Sequence, residues 1–172
     1  MPSYQDERVS YLNLTNPMHL FAVGFGIGLK FKAPGTMASL LMLPVCLLFI
    51  QLPLLIKVFL ALAVLALCLA ACKSVIDLIG YENKNKIACD EFLGMLVSVM
   101  FLGADEWFLA VVAFFLFRFF DMMHPFPISW VQKRIPSFCA VVADDFYNGL
   151  LTALSTWIIG MIISSNSYTA GF

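Results

Sequence analysis

Long apolar runs are the feature that most constrains how this chain can fold. Residues 37–55 and 56–72 form two consecutive runs, each close to the roughly 20 helical residues that cross the hydrocarbon core of a bilayer. Pro53 and Lys57 lie near their boundary and predict a helical hairpin with its turn there. The chain is 62% hydrophobic and only 12% charged, which is outside the usual balance of soluble globular domains. A lipid bilayer is therefore its predicted solvent.

Three further apolar segments follow the hairpin, at residues 87–103, 107–120 and 146–163. The first two are short for a span and could be tilted or partly embedded. Residues 18–31 are too short and glycine-rich to span, so we expect a re-entrant or interfacial helix in which Gly24 and Gly28 allow close helix packing. The sequence thus predicts an all-α, polytopic membrane helical bundle of about four to five short transmembrane helices plus this N-terminal segment.

The domain organisation follows from the same pattern. We expect one membrane-embedded domain over residues 18–163, a polar cytoplasmic N-terminal tail over residues 1–17 and a C-terminal tail over residues 164–172. The polar start lacks the basic and apolar regions of a secretory signal. The net charge of -1 gives no basic excess for nucleic acid, which argues against that class of partner.

The basic residues predict an orientation, because cytoplasmic loops favour Lys and Arg. With the N-terminus inside and five spans, every Lys and Arg except Lys57 lies on the cytoplasmic side. The same topology places two polar connections, residues 72–87 and 121–145, together on the inner face. Any chemistry shared by these connections is therefore expected to face the cytoplasm.

Acidic side chains mark the predicted inner ends of three helices: Asp90 with Glu91, then Asp121, then Asp144 with Asp145. Membrane-embedded acids cost about 2.5 to 3.5 kcal/mol at the centre and usually face a cavity or a partner. Carboxylates about 4 Å apart repel each other by roughly 1 to 4 kcal/mol. Their convergence favours a cation, and oxygen ligands with phosphate nearby favour Mg²⁺. A simpler alternative is that Asp144 and Asp145 only complement a helix dipole.

Residues 33–39, APGTMAS, come just before the first long apolar run. Backbone amides at a helix N-terminus there could receive a phosphate, or Thr36 could be an ordinary N-cap. Arg118 precedes Asp121 by three residues, so it could hold a phosphate oxygen or simply pair with that aspartate. His124 could bind phosphate or metal, although an interfacial histidine satisfied by hydrogen bonds is the commoner case.

Five motifs of this chain, in the same order, resemble the bacterial phosphatidylglycerophosphatase A family. They are NPMHLFAVGFGIGL, APGTMASL, DEFLGM from Asp90, FRFFDMMHPFPI to Ile128, and ADDFYNG from Ala143. The resemblance implies a Mg²⁺-dependent phosphoric monoester hydrolase that converts phosphatidylglycerophosphate to phosphatidylglycerol. It also implies a multi-pass protein of the bacterial cytoplasmic (inner) membrane with its active site facing the cytoplasm.

The resemblance also assigns roles to individual residues. The implied metal and catalytic residues are Asp90, Glu91, Asp121, Asp144 and Asp145. The implied substrate-phosphate residues are Gly35, Thr36, Arg118 and His124. Two departures accompany it: His124 stands where the family usually has lysine, which removes a permanent positive charge, and PSFCAVV precedes the last acid pair where glycines are usual.

Other function classes use similar features. A small membrane transporter or channel with an acidic ion pathway is the main alternative, although five short spans without an inverted repeat argue against it. A lipid phosphotransferase and a purely structural membrane partner are further alternatives. The sequence leaves open the nucleophile, the number of metal ions and the oligomeric state.

Overall fold

The computed structural model describes residues 9–123 and 134–169, with side chains described to residue 164, and all regular structure within these ranges is helical. Two short helices begin the fold, followed by a pair of longer ones. They are α1 (Pro17–Ala22), α2 (Ile27–Lys30), α3 (Pro34–Phe49) and α4 (Leu54–Ile79). A 3₁₀ segment leads into the second half of the fold. This half comprises the 3₁₀ helix Tyr81–Lys86, α5 (Cys89–Ser98), the 3₁₀ turn Ala104–Glu106, α6 (Trp107–Met123) and α7 (Ser137–Thr169).

The predicted hairpin is present as α3 and α4, with Pro53 preceding the first residue of α4. Lys57 was expected in the turn, outside the membrane, but it lies within the first turns of α4 and is buried. Its Nζ donates a hydrogen bond of 2.5 Å to the carbonyl oxygen of Leu102. Burial of an ammonium is costly unless it has a hydrogen-bond partner. This bond therefore links the start of α4 to the chain that follows α5.

The connection predicted for residues 72–87 is largely helical, which corrects the expectation of a polar loop. Helix α4 continues to Ile79 because Val75, Ile76 and Ile79 keep a buried face at helical spacing. The charged residues of this stretch lie on the exposed side of the same turns. Gly80, at φ 81°, then ends the helix.

Within the described residues, two helices are long and apolar enough to cross a membrane: α4, with 26 residues, and the stretch Ser137–Ser164 of α7, with 28 residues. The expected count of four to five spans is therefore not confirmed. Of the predicted run over residues 87–103, only the ten residues of α5 are α-helical, and at 1.5 Å per residue they extend about 15 Å. Every residue of α5 is buried, so this helix lies in the core of the bundle.

The predicted polar stretch over residues 121–145 is also corrected at both ends. Asp121 lies inside α6, and α7 begins at Ser137, so Asp144 and Asp145 lie about two turns inside that helix. Their interpretation as acids at a helix start is therefore wrong. The physical reason is that Val141 and Val142 are buried, so the packed apolar face begins before the acids. Residues 124–133, including His124, lie outside the described residues.

The N-terminal segment reverses direction between α1 and α2 at Gly24, Phe25 and Gly26, which have φ values of 58°, 56° and 96°. The close packing predicted for Gly24 and Gly28 is confirmed: Gly24 packs near Phe92 of α5, and Gly28 packs on the 3₁₀ helix that precedes α5. A Cβ at Gly24 would lie 2.9 Å from the Cβ of Ala88, and one at Gly28 would collide with the backbone of Lys86. The segment is thus fixed against the chain that leads into α5.

Helices α5 and α7 approach closely where two glycines meet. A Cβ at Gly149 would lie 2.6 Å from the carbonyl oxygen of Gly94, and a Cβ at Gly94 would collide with the ring of Phe117. Small residues allow helix backbones to approach in this way. Because Glu91 and Asp145 each lie about one turn before these glycines, the crossing brings acids of α5 and α7 together.

We predict that Gly149→Ala lowers the free energy of unfolding by about 1 to 3 kcal/mol, because overpacking a tight contact forces the backbones apart. Thermal unfolding in detergent would measure the change. Gly103→Ala is the matched control, since its Cβ would meet only a Glu106 oxygen at 3.6 Å. Equal melting temperatures for the two variants would contradict the prediction.

Candidate active site

A cavity of about 330 Å³ lies at one end of the bundle, where the first turn of α3, the 3₁₀ helix, α5, α6 and α7 meet. Its polar and charged lining includes Thr36, Lys84, Asn85, Asp90, Glu91, Arg118, Asp121, Asp144 and Asp145, together with Gly35. All five predicted carboxylates, and three of the four predicted phosphate residues, therefore share one cavity. His124 lies outside the described residues.

Arg118 connects acids from two helices. Its Nη1 donates to both Glu91 oxygens, at 2.8 Å to Oε1 and 2.7 Å to Oε2, while its Nη2 lies 2.9 Å from Oδ2 of Asp121. Asp121 follows Arg118 by three residues on the same face of α6. The sequence left phosphate binding and pairing with Asp121 open for Arg118, and the pairing is present. The guanidinium also reaches across to α5, which the spacing did not predict.

Helix α3 supports this ion pair from the other side. The Oγ of Ser39 donates to Oε2 of Glu91 at 2.7 Å and lies 2.9 Å from the carbonyl oxygen of Gly35. A Cβ at Gly35 would collide with the Glu91 carboxylate and lie 3.2 Å from Nη1 of Arg118. Gly35 therefore leaves the room in which the ion pair fits. In the sequence, the i, i+4 spacing of Gly35 and Ser39 was the signal that both lie on one face of α3.

Thr36 is not the N-cap of α3, because the helix begins at Pro34 and Ala33 occupies the cap position without a side-chain hydrogen bond. Thr36 instead lines the cavity from the first turn. The first amides of a helix have no intrahelical partner, and this end of α3 borders the cavity. The arrangement supplies a hydroxyl and helix-terminal amides of the kind that bind anions.

The carboxylates of the cavity are buried as well as crowded. Asp90, Glu91, Asp144 and Asp145 are each less than one-tenth exposed. Burial, and then the neighbouring charge of Glu91, raises the pKa of Asp90 to about 8. Burial also raises the pKa of Glu91 although Arg118 acts in the opposite direction, so desolvation outweighs the ion pair there.

Five carboxylates line the cavity against the two basic side chains of Arg118 and Lys84, so ionising all five would need a further positive charge. Across residues 9–123 and 134–169, no three acidic, histidine or cysteine side chains already converge as a formed metal site. The donors are nevertheless all oxygens, and Mg²⁺ commonly uses one or two carboxylates completed by waters and phosphate. The chemistry of the donor set fits that ion.

Sequence reasoning missed two of the residues that line the cavity. Lys84 and Asn85 reach it from the 3₁₀ helix, and the run ENKNK had served only to orient the chain. Its signal was a polar cluster, residues 82–86, that lies four to eight residues before Asp90 in an otherwise apolar region. The Lys84 ammonium lies 5.2 Å above the ring of Tyr81, which fixes it beside the cavity.

We predict that Arg118→Leu lowers the free energy of unfolding by about 3 to 5 kcal/mol, because it leaves buried carboxylates without their counter-charge. Thermal unfolding in detergent would measure this change. Glu91→Gln and the double variant complete a double-mutant cycle. The double variant should lose less than the sum of the single losses, and strict additivity would contradict a direct interaction.

Comparison with known proteins agrees with the geometry of this site. Residues 20–160 match the model of the family described as phosphatidylglycerophosphatase A. A phosphatidylglycerophosphatase A of Escherichia coli K12 is 33% identical over 162 residues, covering 93% of each chain. One from Haemophilus influenzae is 34% identical, covering 86% of this chain and 91% of its own.

A third relative, from Bacteroides thetaiotaomicron, bears the name putative phosphatidylinositol-3-phosphatase. It is 27% identical and covers 82% of this chain and 94% of its own. No solved structure matches the chain. The family match spans the residues that build the acidic cavity, from Gly35 to Asp145. The chain therefore belongs to the phosphatidylglycerophosphatase A family.

Proposed function

We propose that this protein hydrolyses phosphatidylglycerophosphate to phosphatidylglycerol and inorganic phosphate, with Mg²⁺, at the cytoplasmic face of the bacterial inner membrane. The observation that carries the proposal is the gathering of five carboxylates and Arg118 in one cavity at the end of an apolar helical bundle. Membership of the family supports the substrate. The apolar α4 and α7 support a membrane location.

The requirement for a cation follows from the charges. A phosphate monoester is an anion, and it would enter a cavity whose own lining is already negative. Arg118 pairs with Glu91 and Asp121, so one or two of the other acids, Asp90, Asp144 and Asp145, would hold Mg²⁺ together with water and phosphate oxygens. When bound, Mg²⁺ supplies neutralisation of phosphate charge and lowers the pKa of a coordinated water.

The chain's own residues would bind and orient the substrate. Lys84 and the first-turn amides of α3 are the donors available to phosphate oxygens, and Arg118, held by Glu91 and Asp121, would add its positive charge beside them. One of the three carboxylates of Asp90, Asp144 and Asp145 would take a proton from the attacking water. As the P–O bond breaks, the glycerol oxygen takes up a proton and leaves as the hydroxyl of phosphatidylglycerol.

A transporter or channel is less well supported than an enzyme. Beyond the cavity, the buried hydroxyls of Thr152 and Thr156 donate to carbonyl oxygens one turn earlier in α7, at 2.8 and 3.0 Å. The contact between Gly94 and Gly149 closes the space between α5 and α7. These contacts leave the carboxylates in a cavity next to tightly packed helices, which favours binding and hydrolysis over passage.

The test is release of inorganic phosphate from phosphatidylglycerophosphate by the purified protein in detergent. We expect turnover with Mg²⁺, its loss with a chelator, and a decrease of at least about 100-fold in Asp90→Asn, since a positioned acid or base contributes about 10²- to 10⁴-fold. Asp77→Asn is the matched control, because Asp77 is exposed on α4 outside the cavity. A wild-type rate for Asp90→Asn would refute the site.

A second substrate separates the two activities named among the relatives. Phosphatidylinositol 3-phosphate is assayed beside phosphatidylglycerophosphate under the same conditions. The proposal expects the larger kcat/KM for phosphatidylglycerophosphate. The opposite preference would assign the chain to the activity suggested by the Bacteroides relative's name.

A further inference from the structure

An apolar groove of about 490 Å³ lies beside the acidic cavity, between α3 and the segment that runs from the reversing turn through α2. Its walls include Phe25, Phe31, Met37, Leu40, Leu41 and Pro44. The four α3 residues follow i, i+3, i+4, i+7 spacing, so they form one outward face of that helix. The opposite face of α3 carries Ser39 and the buried core residues.

The groove and the cavity are lined by neighbouring residues of the same stretch of chain. Phe31 lines the groove, residues 33–36 line the cavity, and Met37 lines the groove again. The first turn of α3 therefore lies between the acidic cavity and the apolar groove. Exposed Lys30 and Lys32 flank this border, where an anionic headgroup would pass.

Phe25 has an unusual backbone conformation in the turn between α1 and α2. Its φ of 56° is in the left-handed region, which is unfavourable for a residue with a side chain. The ring is 63% exposed and stacks on Phe92, with the ring centroids 6.2 Å apart. Backbone strain of this kind concentrates at functional sites, and here it holds an aromatic ring at the wall of the groove.

We propose that the groove binds one acyl chain of the lipid substrate while the phosphate end of the same molecule occupies the acidic cavity. This inference rests on the proposed function. A phosphate monoester attached to a diacyl lipid needs a polar pocket and an apolar exit that adjoin, and α3 supplies one wall of each. From Met37 to Pro44 the helix rises about 10 Å, so the groove accommodates the part of the chain nearest the glycerol.

The first test fills the groove and compares two substrates. Leu40→Trp and Leu41→Trp should raise KM for long-chain phosphatidylglycerophosphate at least tenfold with little change in kcat. Neither should alter hydrolysis of a water-soluble short-chain form of the same lipid. Leu48→Trp is the matched control, since Leu48 lies on α3, is exposed and does not line the groove. Equal KM values for all three variants and the wild type would overturn the inference.

Two further variants keep the test independent of folding and of turnover. Phe25→Gly relieves the positive φ and removes the ring, so it should fold normally and still raise KM for the long-chain lipid. Phe25→Trp reports binding directly through quenching by phosphatidylglycerophosphate with brominated acyl chains. Saturable quenching, displaced by unbrominated substrate but not by diacylglycerol, supports the groove, and quenching that never saturates contradicts it.

The two proposals fail in different ways. A wild type that releases no phosphate from either chain length would remove the proposed function. A wild type that is active on both substrates, together with groove variants that behave like Leu48→Trp, would leave the function intact and remove the acyl-chain site.

Discussion

The ion pair of Arg118 with Glu91 and Asp121 is the interaction on which the rest of the site depends. It ties the start of α5 to the end of α6, and it fits only because Gly35 has no side chain and Ser39 donates to Glu91. A buried pair of this kind is not a source of stability by itself, since desolvation offsets the attraction. Its value is specificity, because any other arrangement of these helices would leave a buried charge unpaired.

Close packing of α5 against α7 adds the second constraint. The contact at Gly94 and Gly149 sets the crossing of the two helices and so the approach of their acids. The fold thereby gathers five carboxylates around one cavity that has only two basic side chains, Arg118 and Lys84. This surplus of acids is the physical basis of the proposal that a divalent cation accompanies the phosphate.

Helix α3 brings the charged and apolar sides of the proposed reaction together. Its first turn borders the acids, its buried face supports the ion pair, and its outward face forms the groove. A lipid phosphatase must hold a headgroup and an acyl chain of one molecule within a few ångströms of each other. In the proposal, the first turn and the outward face of α3 hold these two parts of the substrate.

The sequence alone determined the all-helical class, the hairpin that turns at Pro53, and the expectation that three groups of acids meet, because apolar periodicity and the cost of membrane-embedded charge are local properties. Sequence reasoning wrongly placed Lys57 in the hairpin turn, ended α4 too early and put Asp144 at the start of α7. The expected four to five spans are not confirmed, because apolar length alone does not distinguish a lipid-facing helix from the fully buried α5. Only the tertiary structure decided that Glu91 pairs with Arg118 and that Gly35 leaves room for them. Such contacts depend on how distant helices cross, which no local pattern in the chain encodes.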